Sequence, residues 1–140
     1  MMLVPCYLAP SAIEGLGVYS SVPIRKGELV WAFDERFDRL IPKAEIETAP
    51  DHLREFFERY GYDMPGYPDA LALDADEGRF MNHADTPNLD FTSPDRGVAL
   101  RDIPVGEELT CNYHEFTFGE LVFQAPRHKV SAGNGRAVNH

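Results

Sequence analysis

The chain has 140 residues, 44% of them hydrophobic and 11% aromatic, enough apolar surface for one domain with its own core and too little length for two comfortable ones. Thirteen Lys and Arg stand against 23 Asp and Glu, and the resulting formal charge of -10 repels nucleic-acid phosphates, which argues against a general DNA or RNA binder. A cationic partner suits that charge, and so does plain solubility.

Residues 1–10 carry no basic stretch, and the apolar run between Pro5 and Pro10 is too short for a secretory or membrane segment, so the chain reads as soluble and cytoplasmic. Residues 17–20 and 29–33 have strand composition, separated by the turn-like residues 23–27, and predict a hairpin-like pair. Thr48 stands where a helix cap would, with Pro50 and Asp51 in the first turn, and Leu53, Phe56, Phe57 and Tyr60 fall on one face before Gly61. Residues 61–69 read as a loop, and residues 70–73 as a short buried strand. Two more apolar runs, 98–101 and 109–113, flank the turn-like residues 103–106. The last ten residues are small and polar and read as a frayed tail. One domain over residues 1–123, with a tail over 124–140, is the expected organisation.

Three segments break the alternation of an ordinary core strand. In Glu14-Gly15-Leu16-Gly17-Val18-Tyr19, two glycines one residue apart allow a backbone to approach a ligand closely, although taken alone a turn without a ligand is the plainer reading of such a pair. Ser20 occupies the place of a third glycine, so the dinucleotide fingerprint is incomplete. In the second segment, residues 79–88, Asn82 and His83 offer neutral donors and acceptors suited to an amine and a heteroaromatic ring; satisfied loop groups are the plainer reading of each. The third, residues 106–113, starts at a glycine turn and ends in Tyr113, a phenol for which an amphipathic core edge is the plainer reading when it is taken alone. Cys6 and Cys111 have no paired spacing, and His83, Asp85, Asp90 and His114 match no recognised ligand spacing, so neither a disulfide framework nor a metal site is read, and a reducing compartment is expected.

Taken in order, these segments resemble the SET-domain family. Residues 15–19 followed by 24–28 look like its first motif and the turn after it; Arg79-Phe80-Met81-Asn82-His83 with Pro87-Asn88 resembles its asparagine-histidine loop; residues 106–110 with Tyr113 resemble its closing motif. The resemblance implies a mainly β, α+β fold of the β-clip kind, built of small sheets, with a variable helical insertion over residues 34–69 and a C-terminal pseudoknot in which the closing strand threads under the asparagine-histidine loop. It further implies methyl transfer from S-adenosylmethionine to the side-chain amine of lysine in a protein, S-adenosylhomocysteine being the product. Gly15, Leu16 and Gly17 would cradle the methionine part of the donor, Asn82 and His83 would hold its amine and adenine, and Tyr113 would sit beside the transferring methyl. Cys111, two residues before that tyrosine, would line the lysine channel.

Two departures from the family pattern stand out. No cysteine follows Cys111, so the cysteine-rich, zinc-binding segment that closes the channel in many members is missing and no metal is expected; Phe116, Phe118 and Phe123 are the candidates to close it instead. Ala84 replaces the usual serine after the histidine, with the loss of one hydroxyl. The acidic balance favours a basic protein substrate, with neither nucleic acid nor membrane as partner. A SET fold without turnover that serves as an interaction module, and a methyltransferase for a non-histone or small amine substrate, remain open alternatives, as does the oligomeric state, a homodimer included.

Overall fold

The computed structural model describes residues 1–115. Short strands dominate because turn residues interrupt the apolar runs every few positions. The first sheet holds β1 (Cys6–Pro10), β2 (Leu16–Ser20), β10 (Glu108–Cys111) and β7 (Asn82–His83) in the order β1-β2-β10-β7. The second runs β3 (Leu29–Ala32), β9 (Arg96–Ala99), β8 (Leu89–Asp90), and the third runs β4 (Arg39–Pro42), β6 (Ala70–Leu73), β5 (Tyr62–Asp63). Between β4 and β5 lie α1 (Lys43–Glu47) and α2 (Asp51–Tyr60).

The topology that matters for function is the seating of β10. This strand, late in the chain, pairs antiparallel with β2 through Leu109 and Val18 and parallel with β7 through Thr110 and Asn82. All three motif segments therefore share one sheet. Asn88 fastens the arrangement: its Oδ1 accepts from the Thr110 backbone N–H at 2.8 Å, and its Nδ2 donates to the Glu108 carbonyl at 2.8 Å. Beneath the sheets, Val18, Ile24, Leu89, Ile103 and Leu109 are all at most 2% exposed and form the centre of the core.

The strand expected over 70–73 is β6, and the expected helix is α2. Other expectations are corrected. The strands at 17–20 and 29–33 do not form a hairpin, since β2 pairs with β1 and β10 while β3 pairs with β9. Thr48 does not cap α2. Its hydroxyl turns back to donate to the Glu45 carbonyl at 3.1 Å and so closes α1, a helix the sequence did not announce. The first bonds of α2 go instead to the Pro50 carbonyl, from Leu53 and Arg54 at 2.9 and 3.0 Å. Residues 62–63 of the expected loop are a strand, and the run at 109–113 ends as a strand at Cys111, with Tyr113–Glu115 forming a 3-10 turn. Among the described residues no helix is long and apolar enough to cross a membrane.

Candidate active site

Gly15 and Gly17 serve different physical ends. Gly15 has φ +51°, a left-handed conformation that turns the chain from β1 into β2, and nothing lies near where a side chain would start. At Gly17 the issue is space, because a Cβ would collide with the carboxylate of Glu108. That carboxylate is the centre of a polar cluster. Ser11 Oγ lies 2.8 Å from both of its oxygens, and Asn82 Nδ2 donates to Oε1 at 2.8 Å. The same Asn82 nitrogen is within reach of the Glu14 and Leu16 carbonyls at 3.0 and 3.1 Å. So many acceptors fix which end of the amide points here, and Oδ1 is left as the end for the cleft that Asn82 lines.

This gives a direct expectation. Gly17→Ala should destabilise the fold by roughly 1 to 3 kcal/mol, because the added methyl must displace a carboxylate with several partners. In denaturant titrations the double variant Gly17→Ala/Glu108→Ala should lose less than the sum of the single losses; strict additivity would show that the two side-chain positions do not contend for one space.

His83 reaches the neighbouring strand end. Its Nδ1 accepts from the Tyr113 backbone N–H at 3.1 Å, which places the ring proton on Nε2, 2.9 Å from Asp85 Oδ1. With both nitrogens engaged, any contact of His83 with an adenine runs through its main chain or the face of its ring. The Tyr113 ring lies 5.3 Å from that of His83, and its hydroxyl donates to the Met81 carbonyl at 2.6 Å. Phe116, Phe118 and Phe123 lie outside the described residues, as does the tail over 124–140. Among the described residues no group of three or more His, Cys, Asp or Glu is placed to hold a metal ion.

Two clefts meet at this point. The first, about 530 Å³, is bounded by Glu14, Gly15 and Leu16 on one side and by Met81, Asn82, His83 and Tyr113 on the other, with Arg59 and Tyr60 from α2. Gly17 does not line it. The second, about 480 Å³, is walled by Trp31, Tyr62, Phe91 and Cys111 and has Asp74 in its lining. Tyr60, Arg79 and Met81 belong to both, so the clefts adjoin and share a wall.

Asp74 was not singled out in the sequence, nor were Trp31, Tyr62, Glu108 and Arg59. The available signal at Asp74 was an acid directly after an apolar strand. Its Oδ1 accepts from Tyr62 Oη at 2.9 Å and its Oδ2 from Trp31 Nε1 at 3.0 Å. Burial raises this carboxyl to about 6, against the pull of those two hydrogen bonds, and burial followed by the Asp74 charge pushes the Tyr62 phenol well up. The linkage sign follows from a folded value above the ordinary 3.8. The folded state holds this proton more tightly, so the contribution is full below about pH 4 and is lost as pH rises through 6. Relative to Asp74→Asn, the parent should therefore lose on the order of 3 kcal/mol between pH 4 and 7, read from urea titrations of both proteins. Parallel stability curves would show that Asp74 titrates as an ordinary carboxylate.

Residues 15–114 match the SET domain. The chain belongs to the SET-domain family. Solved structures that share the SET fold come from Polycomb Repressive Complex 2 of Chaetomium thermophilum. A humanized mutant bound to an inhibitor matches with a TM-score of 0.58 at 24% identity, over 83% of this chain and 16% of that one. The apo complex with two substitutions in Ezh2 gives a TM-score of 0.61 at 24% identity, over 89% and 16%. A third, in an autoinhibited conformation bound to S-adenosylmethionine, gives 0.61 at 24% identity, over 91% and 17%. This chain thus spans 16–17% of the length of those solved chains. No curated protein matches it significantly. The small sheets and few helices of the SET fold are those described above.

Proposed function

We propose that this SET-domain chain is a protein-lysine methyltransferase that takes its methyl group from S-adenosylmethionine. The observation that carries the reading is the pair of clefts with a shared wall, one lined by the motif residues and the other aromatic, both bounded by Met81, whose carbonyl holds the Tyr113 hydroxyl of the first cleft. Methyl transfer needs two reactants brought into line from opposite sides, and two clefts with a shared wall provide that geometry.

The first cleft has the chemistry for the donor. Asn82 Oδ1 is an acceptor for an ammonium, and the Gly15 turn lays main chain along the cleft without side-chain obstruction. S-adenosylmethionine, when bound, supplies a methyl made electrophilic by its sulfonium. The remaining work falls to the chain. Trp31, Tyr62 and Phe91 line the second cleft, and aromatic rings there suit a lysine ammonium that sheds its water. Asp74, behind Trp31 and Tyr62, adds negative potential to that floor. Lysine ordinarily titrates near 10.4, and a desolvated channel favours loss of the proton that leaves a nucleophilic nitrogen. The Tyr113 hydroxyl, held by the Met81 carbonyl, is a phenolic oxygen of the kind that can accept an amine N–H and so aim the nitrogen lone pair.

The charge of -10 supports a basic protein as substrate. The test is incubation of the purified chain with isotopically labelled S-adenosylmethionine and mixtures of basic proteins, read by peptide mass spectrometry. Labelled methyl-lysine is the expected product; donor binding without a labelled acceptor would leave the fold as a binding module.

A further inference from the structure

One wall of the first cleft comes from none of the three motif segments. It is the last turn of α2, inside the stretch over 34–69, and rings hold it in place. Phe56 and Tyr60 lie 5.0 Å apart, Tyr60 packs 5.3 Å from Phe80 just before the asparagine-histidine pair, and the Arg79 guanidinium stands 5.8 Å from the Phe56 ring. The helix is thereby fixed to the segment that carries Met81, Asn82 and His83. Its half-buried Arg59 reaches the cleft, with its guanidinium 5.6 Å over the Tyr60 ring.

The cleft has two arginines in its lining among the described residues, Arg59 and Arg79. Arg79 is committed elsewhere, its Nε donating to the Asp74 carbonyl at 3.1 Å and its Nη2 directed at the Ala75 carbonyl at 3.4 Å. The Arg59 side chain makes no hydrogen bond or ion pair with a described residue, so its donor fork is open.

We propose that Arg59 binds the α-carboxylate of the methyl donor, which makes the insertion helix a determinant of donor selection. This rests on the reading of the first cleft as the S-adenosylmethionine site. The amino-acid end of that molecule carries both an ammonium and a carboxylate. Asn82 Oδ1 suits the first, and the second requires a cation or several N–H donors. A guanidinium has the planar fork that meets a carboxylate through two parallel bonds, and stacking on Tyr60 limits the side-chain freedom lost on binding.

The experiment compares the full chain, Arg59→Met and Arg59→Lys by calorimetry with two probes, S-adenosylmethionine and decarboxylated S-adenosylmethionine. The parent should bind the first at least about tenfold more tightly, the size expected for losing charge-assisted hydrogen bonds. In Arg59→Met the ratio should fall close to one, entirely through weaker binding of S-adenosylmethionine. The unchanged affinity for the decarboxylated probe then reports an intact cleft. Arg59→Lys should fall between. A parent without preference, or a preference that survives in Arg59→Met, overturns the assignment of Arg59 while leaving the donor cleft standing. A parent that binds neither probe overturns the donor reading itself.

Discussion

Tyr113→Phe is expected to bind S-adenosylmethionine within about twofold of the parent and to turn over at least about 100-fold more slowly. The two quantities separate because the ring and the hydroxyl have different tasks. Phenylalanine keeps the ring that lines the first cleft and packs 5.3 Å from His83, so the walls around the donor stay in place. The substitution removes the oxygen that is anchored on Met81 at 2.6 Å, where the two clefts meet. An amine arriving there loses the acceptor that aims its lone pair, and a misaimed nucleophile costs rate rather than ground-state affinity. Loss of the bond to Met81 itself costs only about 1 kcal/mol, so thermal melting should move little. Single-turnover measurements with labelled donor, beside calorimetry, give both numbers. Turnover equal to that of the parent, or donor affinity falling in step with turnover, would remove Tyr113 from the reacting centre.

What the sequence disclosed follows from which interactions are local. The one-face spacing of Phe56, Phe57 and Tyr60 located α2, and the apolar run at 70–73 located β6, since each depends on near neighbours. Strand partners were not legible in the same way. The alternation along β2 is identical whether its neighbour is β3 or, as in the fold, β1 and β10. Thr48 could not be told from a cap for α2, because Pro50 offers its carbonyl to the same helix two residues later.

The site divides along the same line. Gly15, Leu16, Asn82, His83 and Tyr113 stood out as grouped residues, and they do line one cleft. Gly17 drew notice for close backbone approach, and the structure gives it a further task. Its missing side chain makes room for Glu108, a requirement set by a residue 91 positions away in sequence and visible only once β2 and β10 are paired. The second cleft was the hardest to foresee. Trp31, Tyr62, Asp74 and Phe91 each look like ordinary core or strand residues, and only tertiary packing turns them toward one cavity.

In the proposed reaction, that cavity would set the product. Cys111 is 3% exposed at the end of β10, packed with Trp31, Met81 and Phe91, and it forms part of the wall of the second cleft. A thiol is small and a poor hydrogen-bond partner, so it neither crowds a lysine that already carries methyl groups nor pins the amine in one orientation. The parent is therefore expected to reach di- or trimethyllysine. Cys111→Tyr adds a phenol to the same wall, and the ring takes space while its hydroxyl holds the amine by a hydrogen bond, so products should shift toward monomethyllysine. Cys111→Ala keeps the space and should leave the product pattern as it was. The tyrosine must enter a packed core at a cost of roughly 1 to 3 kcal/mol, so each variant is melted before its products are compared. Intact mass spectra over a time course separate the outcomes. If a folded Cys111→Tyr protein yields the same proportions of mono-, di- and trimethyllysine as the parent, the wall at position 111 does not face the acceptor, and the second cleft is not where the lysine enters.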